Sequence, residues 1–353
     1  MAQIFPSLTG LLNHGFDTVI DVRSPAEFAQ DHVPGAINLP VLSNEERARV
    51  GTIYVQQSAF LGRKVGAALV FRNAANHIET QLMDKDGGWR PLVYCWRGGQ
   101  RSGSFAWMLG QIGWRSDVVD GGYRSFRRLV NKSLYDDALP HRVVLLDGYT
   151  GTAKTALLYL LAARGVQVLD LEGMAAHRGS LLGATATPQP SQKQFETRIA
   201  SALCRLDPTM PVLVEAESSK VGNRVIPPSL WTAMKAAPRI EVTAPVAARA
   251  AYLVQAYDDI LSDGPRLRHK LDMLRKHRGK AIVDGWLDLI TADDRPGLTT
   301  ALMQQHYDPS YDKSRKAHDP HTIARIAAAA LDAPGLDAVA GQVEAALVRL
   351  GQR

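Results

Sequence analysis

The 353-residue chain contains only two cysteines, Cys95 and Cys204, so its sequence indicates no disulfide framework. Few cysteines and a free thiol both suit the reducing cytoplasm. Long apolar runs are also missing, because stretches such as residues 156–163 are far too short to cross a bilayer. Residues 1–12 lack the basic segment and apolar stretch that are typical of a signal peptide. We therefore expect a cytoplasmic protein with no membrane partner.

The composition is that of an ordinary globular protein, with 46% hydrophobic and 22% charged residues. A chain of this length is long for a single hydrophobic core and sufficient for two domains. The formal net charge of +6 and the sequence pI near 9.3 mildly favour a polyanionic partner.

Strand-like and helix-like patterns alternate in both halves of the chain, which predicts an α/β fold with parallel sheets. We predict one domain over residues 1–131, a polar linker over 132–141, and a second domain over 142–353. The C-terminal third is predicted to be mostly helical, including the alanine-rich residues 323–331 and a basic helix at 266–280. In this basic helix Leu267, Leu271, Met273 and Leu274 fall at helical spacing and are predicted to form its apolar face. We find no internal repeat.

The most informative segment is CWRGGQRS at residues 95–102, which follows a strand predicted at residues 91–94 and leads into a helix predicted at residues 102–109. Backbone N–H groups and a helix N-terminus in such a loop stabilise a thiolate or another anion. We therefore predict that Cys95 is a nucleophile. The accompanying anion loop is formed by Trp96, Arg97, Gly98, Gly99, Gln100 and Arg101.

A second glycine-containing turn between a strand and a helix has the pattern of a phosphate-binding P-loop. Its predicted diphosphate-binding residues are Gly148, Thr150, Gly151, Thr152, Ala153, Lys154 and Thr155. Ala153 stands where glycine usually precedes the lysine, and a positive φ there costs alanine on the order of 1 kcal/mol.

The hydroxyl of Thr155 could hold Mg²⁺, although a requirement for Mg²⁺ stays open. A carboxylate that follows a neighbouring strand usually serves such a site. Asp170, Glu215 and Glu217 are the candidates, and we favour Glu215. No Cys/His spacing predicts another metal site.

The two candidate sites resemble the two halves of a known family. DVRSPAEF at 21–28 and DHVPGAINLP at 31–40 resemble the opening of a rhodanese domain, with Cys95 at the position of its persulfide-forming cysteine. The pairing with a P-loop domain resembles the tRNA 2-selenouridine synthase family. HRGSLLG at 177–183, QPSQ at 189–192, ESSKVG at 217–222 and HYDPSY at 306–311 add to the resemblance, which spans nearly the whole chain.

The resemblance implies an N-terminal rhodanese-like domain and a C-terminal P-loop NTPase-like domain with a helical tail. It also implies that wobble 2-thiouridine in tRNA exchanges sulfur for selenium, with selenophosphate and geranyl diphosphate as co-substrates. Geranyl transfer would make the sulfur a leaving group. The P-loop would then hold the diphosphate, while Cys95, Arg97 and Arg101 would serve the selenium step.

Under this interpretation, two basic clusters are candidates for tRNA contact. They comprise Arg124, Arg127 and Arg128 in the first domain, and Arg266, Arg268, Lys270, Arg275, Lys276, Arg278 and Lys280 in the second. Trp96 either stacks on the uracil or fills a domain interface.

Three alternatives stay open at this point. The spacing from Cys95 to Arg101 is also that of cysteine-dependent phosphatases, although the loop offers no obvious general acid. A plain sulfurtransferase would have no use for the P-loop domain. A non-catalytic tRNA-binding module would not need Cys95 and Lys154.

Overall fold

The structure is a computed structural model that describes residues 1–180, 182–316 and 321–351. These residues form two compact units. The first comprises Met1–Ala138, Pro190–Arg205 and Pro227–Ser229, and the second comprises the remaining described residues. The first unit therefore draws on both sides of the predicted linker at residues 132–141.

The strands are β1 (Ala2–Gln3), β2 (Thr18–Asp21), β3 (Ile37–Asn38), β4 (Pro91–Tyr94), β5 (Asp117–Val119), β6 (Arg142–Asp147), β7 (Val168–Leu169), β8 (Pro211–Glu215), β9 (Lys220–Val221), β10 (Arg224–Val225), β11 (Arg239–Thr243) and β12 (Thr322–Ala327).

The helices of the first part are α1 (Leu8–Leu12), α2 (Pro25–Gln30), α3 (Asn44–Gln56), α4 (Ala59–Gln81), α5 (Gln100–Ile112), α6 (Gly122–Asn131), α7 (Lys154–Ala163), α8 (Leu171–Ala175) and α9 (Gln192–Leu203). Those that follow are α10 (Pro228–Ala236), α11 (Val246–Ala256), α12 (Asp258–Leu261), α13 (Gly264–Asp272), α14 (Arg275–Arg278), α15 (Lys280–Thr291), α16 (Arg295–Leu302), α17 (Asp308–Lys316) and α18 (Ala333–Gly351). Two π-helical segments, Lys132–Asp136 and Met303–Tyr307, complete the described elements.

The predicted α/β class is confirmed, because each unit contains a five-stranded sheet whose strand pairs are parallel. The first sheet has the order β1-β5-β4-β2-β3, and the second has the order β12-β11-β6-β8-β7. The central strands β4 and β6 are nearly continuous buried apolar runs, as expected where helices cover both faces of a parallel sheet. The chain leaves β4 directly into the Cys95 loop and β6 directly into the P-loop.

The predicted helix at residues 323–331 is wrong. β12 occupies residues 322–327 and pairs in parallel with β11. Ile326 is buried in the core of the second sheet. Strand pairing and this burial outweigh the helix propensity of the alanines, because propensity is weak compared with tertiary packing.

The predicted basic helix at 266–280 is divided into α13 and α14. Leu267, Leu271 and Leu274 are buried in one apolar cluster, as their helical spacing predicted. Met273 was predicted on the same face, but its side chain is 57% exposed. It lies two residues after Leu271, which places it on the side of a helix away from the three leucines.

Candidate active sites

Cys95 lies at the carboxyl end of β4, the edge at which open parallel sheets bind their ligands. Its thiol is only 3% exposed. The Ser102 hydroxyl, in the first turn of α5, donates to the Cys95 sulfur at 3.2 Å. The backbone N–H groups of Ser102 and Arg97 also point to the sulfur. The loop and the start of α5 thus surround one nucleophile with hydrogen-bond donors.

Burial alone would raise the pKa of the Cys95 thiol, because it disfavours the charged form. The donors from Ser102 and Arg97, together with the charge of Arg101, outweigh burial and bring the pKa below its ordinary value. A lowered pKa increases the fraction of the reactive thiolate near neutral pH.

Two glycines allow the loop to sit closely against the start of α6. Gly98 and Gly122 both have positive φ, at 65° and 57°. A Cβ on Gly122 would lie 2.3 Å from the Cys95 carbonyl oxygen, and the Tyr123 N–H donates to that oxygen at 2.8 Å. Larger residues would therefore displace the loop.

Arg101 is held in place by Glu27 of α2. Its guanidinium donates to a Glu27 carboxylate oxygen at 3.1 Å, and Arg47 contacts the same oxygen at 3.0 Å. Burial raises the pKa of Glu27, but the two arginines bring it below its usual value. Arg97 and Gln100 are exposed at the loop surface. The loop therefore offers one fixed and one free cationic group to an anion.

Two residues beside this site were not assigned a role from sequence. Ser102 was part of the quoted motif, and a hydroxyl in the first helical turn after the loop was the signal that could have identified it. Arg23 is buried, pairs with Asp21, and stacks over the Tyr123 ring at 4.0 Å. Trp96 is half-buried and lies 5.2 Å from the same tyrosine ring. Arg23 and Tyr123 thus support the side chain next to the nucleophile.

Replacing Ser102 by alanine is expected to raise the pKa of Cys95, because it removes the hydroxyl donor to the thiolate. The pH dependence of alkylation by iodoacetamide measures this directly. Its midpoint should move to higher pH, and the rate at pH 7 should fall. Ser104→Ala, a substitution elsewhere on α5, is the matched control; equal midpoints in all three proteins would contradict the assignment.

The P-loop lines a cavity of about 820 Å³ in the second unit, within the roughly 300–1,000 Å³ of small-molecule sites. Thr150, Gly151, Thr152, Ala153, Lys154 and Thr155 form one wall. Lys154 opens α7 and donates to the Gly148 carbonyl oxygen at 2.7 Å. The predicted diphosphate residues are thus brought together, with Gly148 supporting the lysine instead of lining the cavity.

Ala153 has φ 58° and ψ 30°, so the position does require the left-handed conformation that favours glycine. The same residue is 5% exposed, and its methyl group packs in the core of the second sheet. Burying this methyl group contributes on the order of 0.8 kcal/mol, which is comparable to the conformational cost.

Ala153→Gly is therefore expected to change the free energy of unfolding by less than about 1 kcal/mol, because relief of backbone strain and loss of the methyl contact oppose each other. Binding of inorganic diphosphate should be unaffected, since the backbone already has the conformation a P-loop uses. Urea unfolding and calorimetric titration provide the two measurements. A large gain in diphosphate affinity would show that alanine distorts the loop.

The carboxylates on the cavity wall are Glu172 and Glu217. Thr155 donates to Glu172 at 2.8 Å. Gly179 has positive φ, and a Cβ there would lie 2.6 Å from Glu217 Oε1 and 2.7 Å from Glu172 Oε1. The two carboxylates therefore converge beneath Gly179. Removal from water, and then the charge of Glu172, raise the pKa of Glu217 to about 8.

Glu215, the carboxylate favoured from sequence, does not line this cavity. It is 1% exposed at the end of β8 and accepts a hydrogen bond from the Leu171 backbone N–H. Glu217 lies two residues beyond the end of β8, where the chain is no longer a strand, and it lines the cavity.

The chemistry of this wall fits Mg²⁺, which binds one or two carboxylates together with phosphate oxygens. Thr155, Glu172 and Glu217 would hold the ion, and it would supply positive charge to the phosphate oxygens of a bound ligand. Within residues 1–180, 182–316 and 321–351, no group of three or more His, Cys, Asp or Glu forms a metal site. An ion here would therefore depend on the phosphate oxygens of a ligand.

Three segments quoted for the family resemblance meet at this cavity. They contribute Arg178, Gly179 and Ser180; Glu217, Ser218 and Ser219; and Tyr307, Ser310 and Tyr311. Leu181, in the first of these segments, lies outside the described residues. The segment at 189–192 contributes no residue to the cavity wall. Its Gln189 side chain donates hydrogen bonds to the backbone oxygens of Ala175 and Val221 and so connects the two segments that contain them.

The candidate tRNA-binding residues divide into exposed and paired groups. Arg124, Arg128, Arg266, Lys276 and Lys280 are exposed, whereas Arg268 and Lys270 are half-buried. Arg127 forms an ion pair with the buried Glu196. Arg275 pairs with Asp272 and Asp284, and Arg278 donates to His306. Arg127, Arg275 and Arg278 thus have structural partners within their own units.

The sheet orders, the cysteine loop and the P-loop together define a rhodanese-like domain joined to a P-loop domain. Family comparison agrees: residues 6–129 match the rhodanese-like domain, and residues 141–264 match the tRNA 2-selenouridine synthase AAA domain.

Three relatives carry the name tRNA 2-selenouridine synthase. The protein of Nitrosomonas europaea is 35% identical over 68% of this chain and 63% of its own length. The protein of Hahella chejuensis is 35% identical over 74% of this chain and 67% of its own length. The protein of Bdellovibrio bacteriovorus is 32% identical over 73% of this chain and 70% of its own length. The chain belongs to the tRNA 2-selenouridine synthase family, although the match spans less than two thirds of the first relative. In the part of the chain that the structure describes, no helix is both long and apolar enough to span a membrane.

Proposed function

We propose that this protein replaces the sulfur of wobble 2-thiouridine in tRNA by selenium, using selenophosphate, through an S-geranylated intermediate made from geranyl diphosphate. The observation that carries the proposal is the lining of the P-loop cavity. Besides the phosphate loop, it contains the aromatic and aliphatic side chains of Tyr252, Leu253, Ala256, Trp231 and Met234. Such a cavity suits a ligand with a diphosphate head and a hydrocarbon tail.

The first reaction takes place at the P-loop. The sulfur of the base attacks C1 of geranyl diphosphate, the C1–O bond breaks, and diphosphate leaves with the electron pair. The N3 proton of the base is released as the S–C1 bond forms. Lys154 and the P-loop N–H groups stabilise the charge on the departing diphosphate. The thiocarbonyl sulfur, which is hard to expel, becomes a thioether sulfur that can leave as geranylthiol.

The second reaction takes place at the Cys95 loop. The loop's N–H groups, Arg97 and Arg101 suit the oxyanion of selenophosphate, and the lowered pKa of Cys95 keeps its thiolate available for the selenium step. The selenium of selenophosphate adds to C2, and the C2–S bond breaks so that geranylthiolate leaves and takes up a proton. The Cys95 thiolate then attacks phosphorus, the Se–P bond breaks with its electron pair left on selenium, and water hydrolyses the cysteine thiophosphate to release phosphate. A plain sulfurtransferase would need only this loop.

The exposed arginines of α6 are proposed to contact tRNA phosphates. Replacing Arg124 and Arg128 together by glutamate is expected to weaken tRNA binding and to reduce the slope of log K against log salt by about 2, since each phosphate contact contributes about 1. Arg63→Glu with Arg72→Glu, both exposed on α4, is the control of equal charge. An unchanged salt slope in the α6 variant would remove these residues from the tRNA surface.

The proposal is tested by following the nucleosides of a 2-thiouridine-containing tRNA by mass spectrometry. With geranyl diphosphate alone, geranyl-thiouridine should accumulate, and added selenophosphate should convert it to 2-selenouridine. Release of phosphate from a phosphoester without any modified nucleoside would instead favour a cysteine-dependent phosphatase.

A further inference from the structure

Helix α9 belongs to the first unit, although the chain on either side of it belongs to the second. Residues 190–205, which contain α9, lie inside the segment 141–264 that matches the AAA domain. They nevertheless cluster with residues 1–138, and α9 packs against α1, α6 and the π-helical segment Lys132–Asp136. The unit that contains Cys95 therefore includes a helix from the second half of the chain.

The face of α9 that packs in this unit carries polar side chains that are almost fully buried. Thr197 is 3% exposed and Glu196 is 2% exposed. Glu196 forms an ion pair with Arg127 of α6. It also accepts hydrogen bonds from the Tyr135 hydroxyl at 2.7 Å and from the Gln192 side chain at 2.9 Å. A buried polar network with satisfied partners favours one arrangement of its members, because any other arrangement leaves a buried group unpaired.

Thr197 reaches Asp31, the residue that follows α2. Asp31 is 1% exposed, and its Oδ2 atom accepts hydrogen bonds from the Thr197 hydroxyl at 3.1 Å and from the Tyr123 hydroxyl at 2.8 Å. Arg127 lies 3.8 Å from the same oxygen. The Oδ1 atom is buried and has no hydrogen-bond partner among the described residues. Without either hydroxyl, the buried carboxylate would have only one hydroxyl donor, and we expect it to shift.

Tyr123 connects Asp31 to the backbone of the Cys95 loop. Its own N–H donates to the Cys95 carbonyl oxygen at 2.8 Å. The N–H of the next residue, Arg124, donates to the Trp96 carbonyl oxygen at 3.1 Å. The Tyr123 ring also lies 5.2 Å from the Trp96 ring. The side chain that Asp31 holds therefore belongs to the residue that binds the backbone at the nucleophile.

We propose that Thr197 and Asp31 are positioning residues for the Cys95 loop, which they orient through Tyr123. This inference deepens the selenium step proposed above and rests on the assignment of that step to Cys95. The N–H donors of the loop reach the Cys95 sulfur only while the backbone of residues 95–102 is held in place, and the two hydrogen bonds from the start of α6 hold it. A helix from the segment that matches the AAA domain thus helps to set the geometry of the nucleophile.

Thr197→Val tests this inference, because it removes the hydroxyl and keeps the shape of the side chain. The rate of alkylation by iodoacetamide is measured against pH on the full chain with Cys204→Ala, so that Cys95 is the only thiol. The proton affinity of the thiolate should rise at least about twofold, the lower end of what one hydrogen bond contributes, and the midpoint should move to higher pH. Thr197→Ser restores the hydroxyl and should return the midpoint towards its native value.

Thr299→Val is the matched control. Thr299 is 5% exposed in the second unit, and its hydroxyl donates within α16. This variant should leave the alkylation midpoint unchanged. Urea unfolding of each variant separates positioning from stability. If Thr197→Val unfolds at lower urea but keeps the native alkylation midpoint, Thr197 only stabilises the unit and the inference is wrong.

Tyr123→Phe tests whether the effect passes through Asp31, because it removes the second hydroxyl donor to the same oxygen. The change in proton affinity in the double variant with Thr197→Val should differ from the product of the two single changes by about twofold or more. Changes that simply multiply would overturn the route through Asp31.

Single-turnover formation of 2-selenouridine from tRNA that already carries geranyl-thiouridine separates this inference from the proposed function. A slower rate in Thr197→Val, restored in Thr197→Ser, supports both. A shifted alkylation midpoint with a native rate of 2-selenouridine formation would leave the positioning inference intact. It would show instead that the selenium step does not use Cys95.

Discussion

Cys95→Ala is expected to lower 2-selenouridine formation by about 10³-fold or more, the scale seen when a catalytic nucleophile is removed. The reason is that alanine provides no thiolate at the centre of the loop's donors. Geranyl-thiouridine formation should persist, because it depends on the P-loop. Mass spectrometry of tRNA nucleosides in single-turnover reactions reports both products from one sample.

Cys204→Ala is the matched control, because it removes the other cysteine, a half-buried side chain on the first unit. This variant should form both products at close to the native rates. Loss of geranyl-thiouridine in Cys95→Ala, with circular dichroism showing that the protein is still folded, would mean that Cys95 acts in both reactions. The assignment of the two reactions to two separate sites would then be wrong.

Lys154→Ala is expected to reduce geranyl transfer by about 10²–10³-fold, the range found when one group that stabilises developing charge is removed. The lysine opens α7 beside the P-loop carbonyls, where it can reach the outer oxygens of a diphosphate. Since the selenium step requires the geranylated base, 2-selenouridine should be lost as well.

Supplying tRNA that already carries geranyl-thiouridine separates the two effects. With this substrate, Lys154→Ala should form 2-selenouridine at close to the native rate. Lys220→Ala, an exposed lysine on β9, is the control for loss of one positive charge. A Lys154→Ala protein that geranylates normally would show that the P-loop does not hold the prenyl donor.

The sequence was most predictive where one local pattern determined one structure. β4 has its predicted bounds, and the Cys95 loop and the P-loop each connect a strand to a helix as predicted. Their conformations depend on neighbouring glycines and on the strand before them, which are all visible in the sequence. The leucines of α13 were likewise identified by their spacing.

Features that depend on distant residues were not predictable. β12 is a strand because β11 provides a partner, and its alanines carry no signal of this. The convergence of Glu172 and Glu217 requires the folding of three separate segments around Gly179. The partner of Arg127 lies on α9, far away in the sequence. In each case, tertiary packing decides what a single sequence leaves open.

The most direct test of the account is an omission experiment with the native protein, 2-thiouridine-containing tRNA, geranyl diphosphate and selenophosphate. The account predicts geranyl-thiouridine when selenophosphate is omitted, 2-selenouridine when both are present, and no 2-selenouridine when geranyl diphosphate is omitted. Formation of 2-selenouridine at the full rate without geranyl diphosphate would contradict it, because the P-loop cavity would then have no part in the exchange.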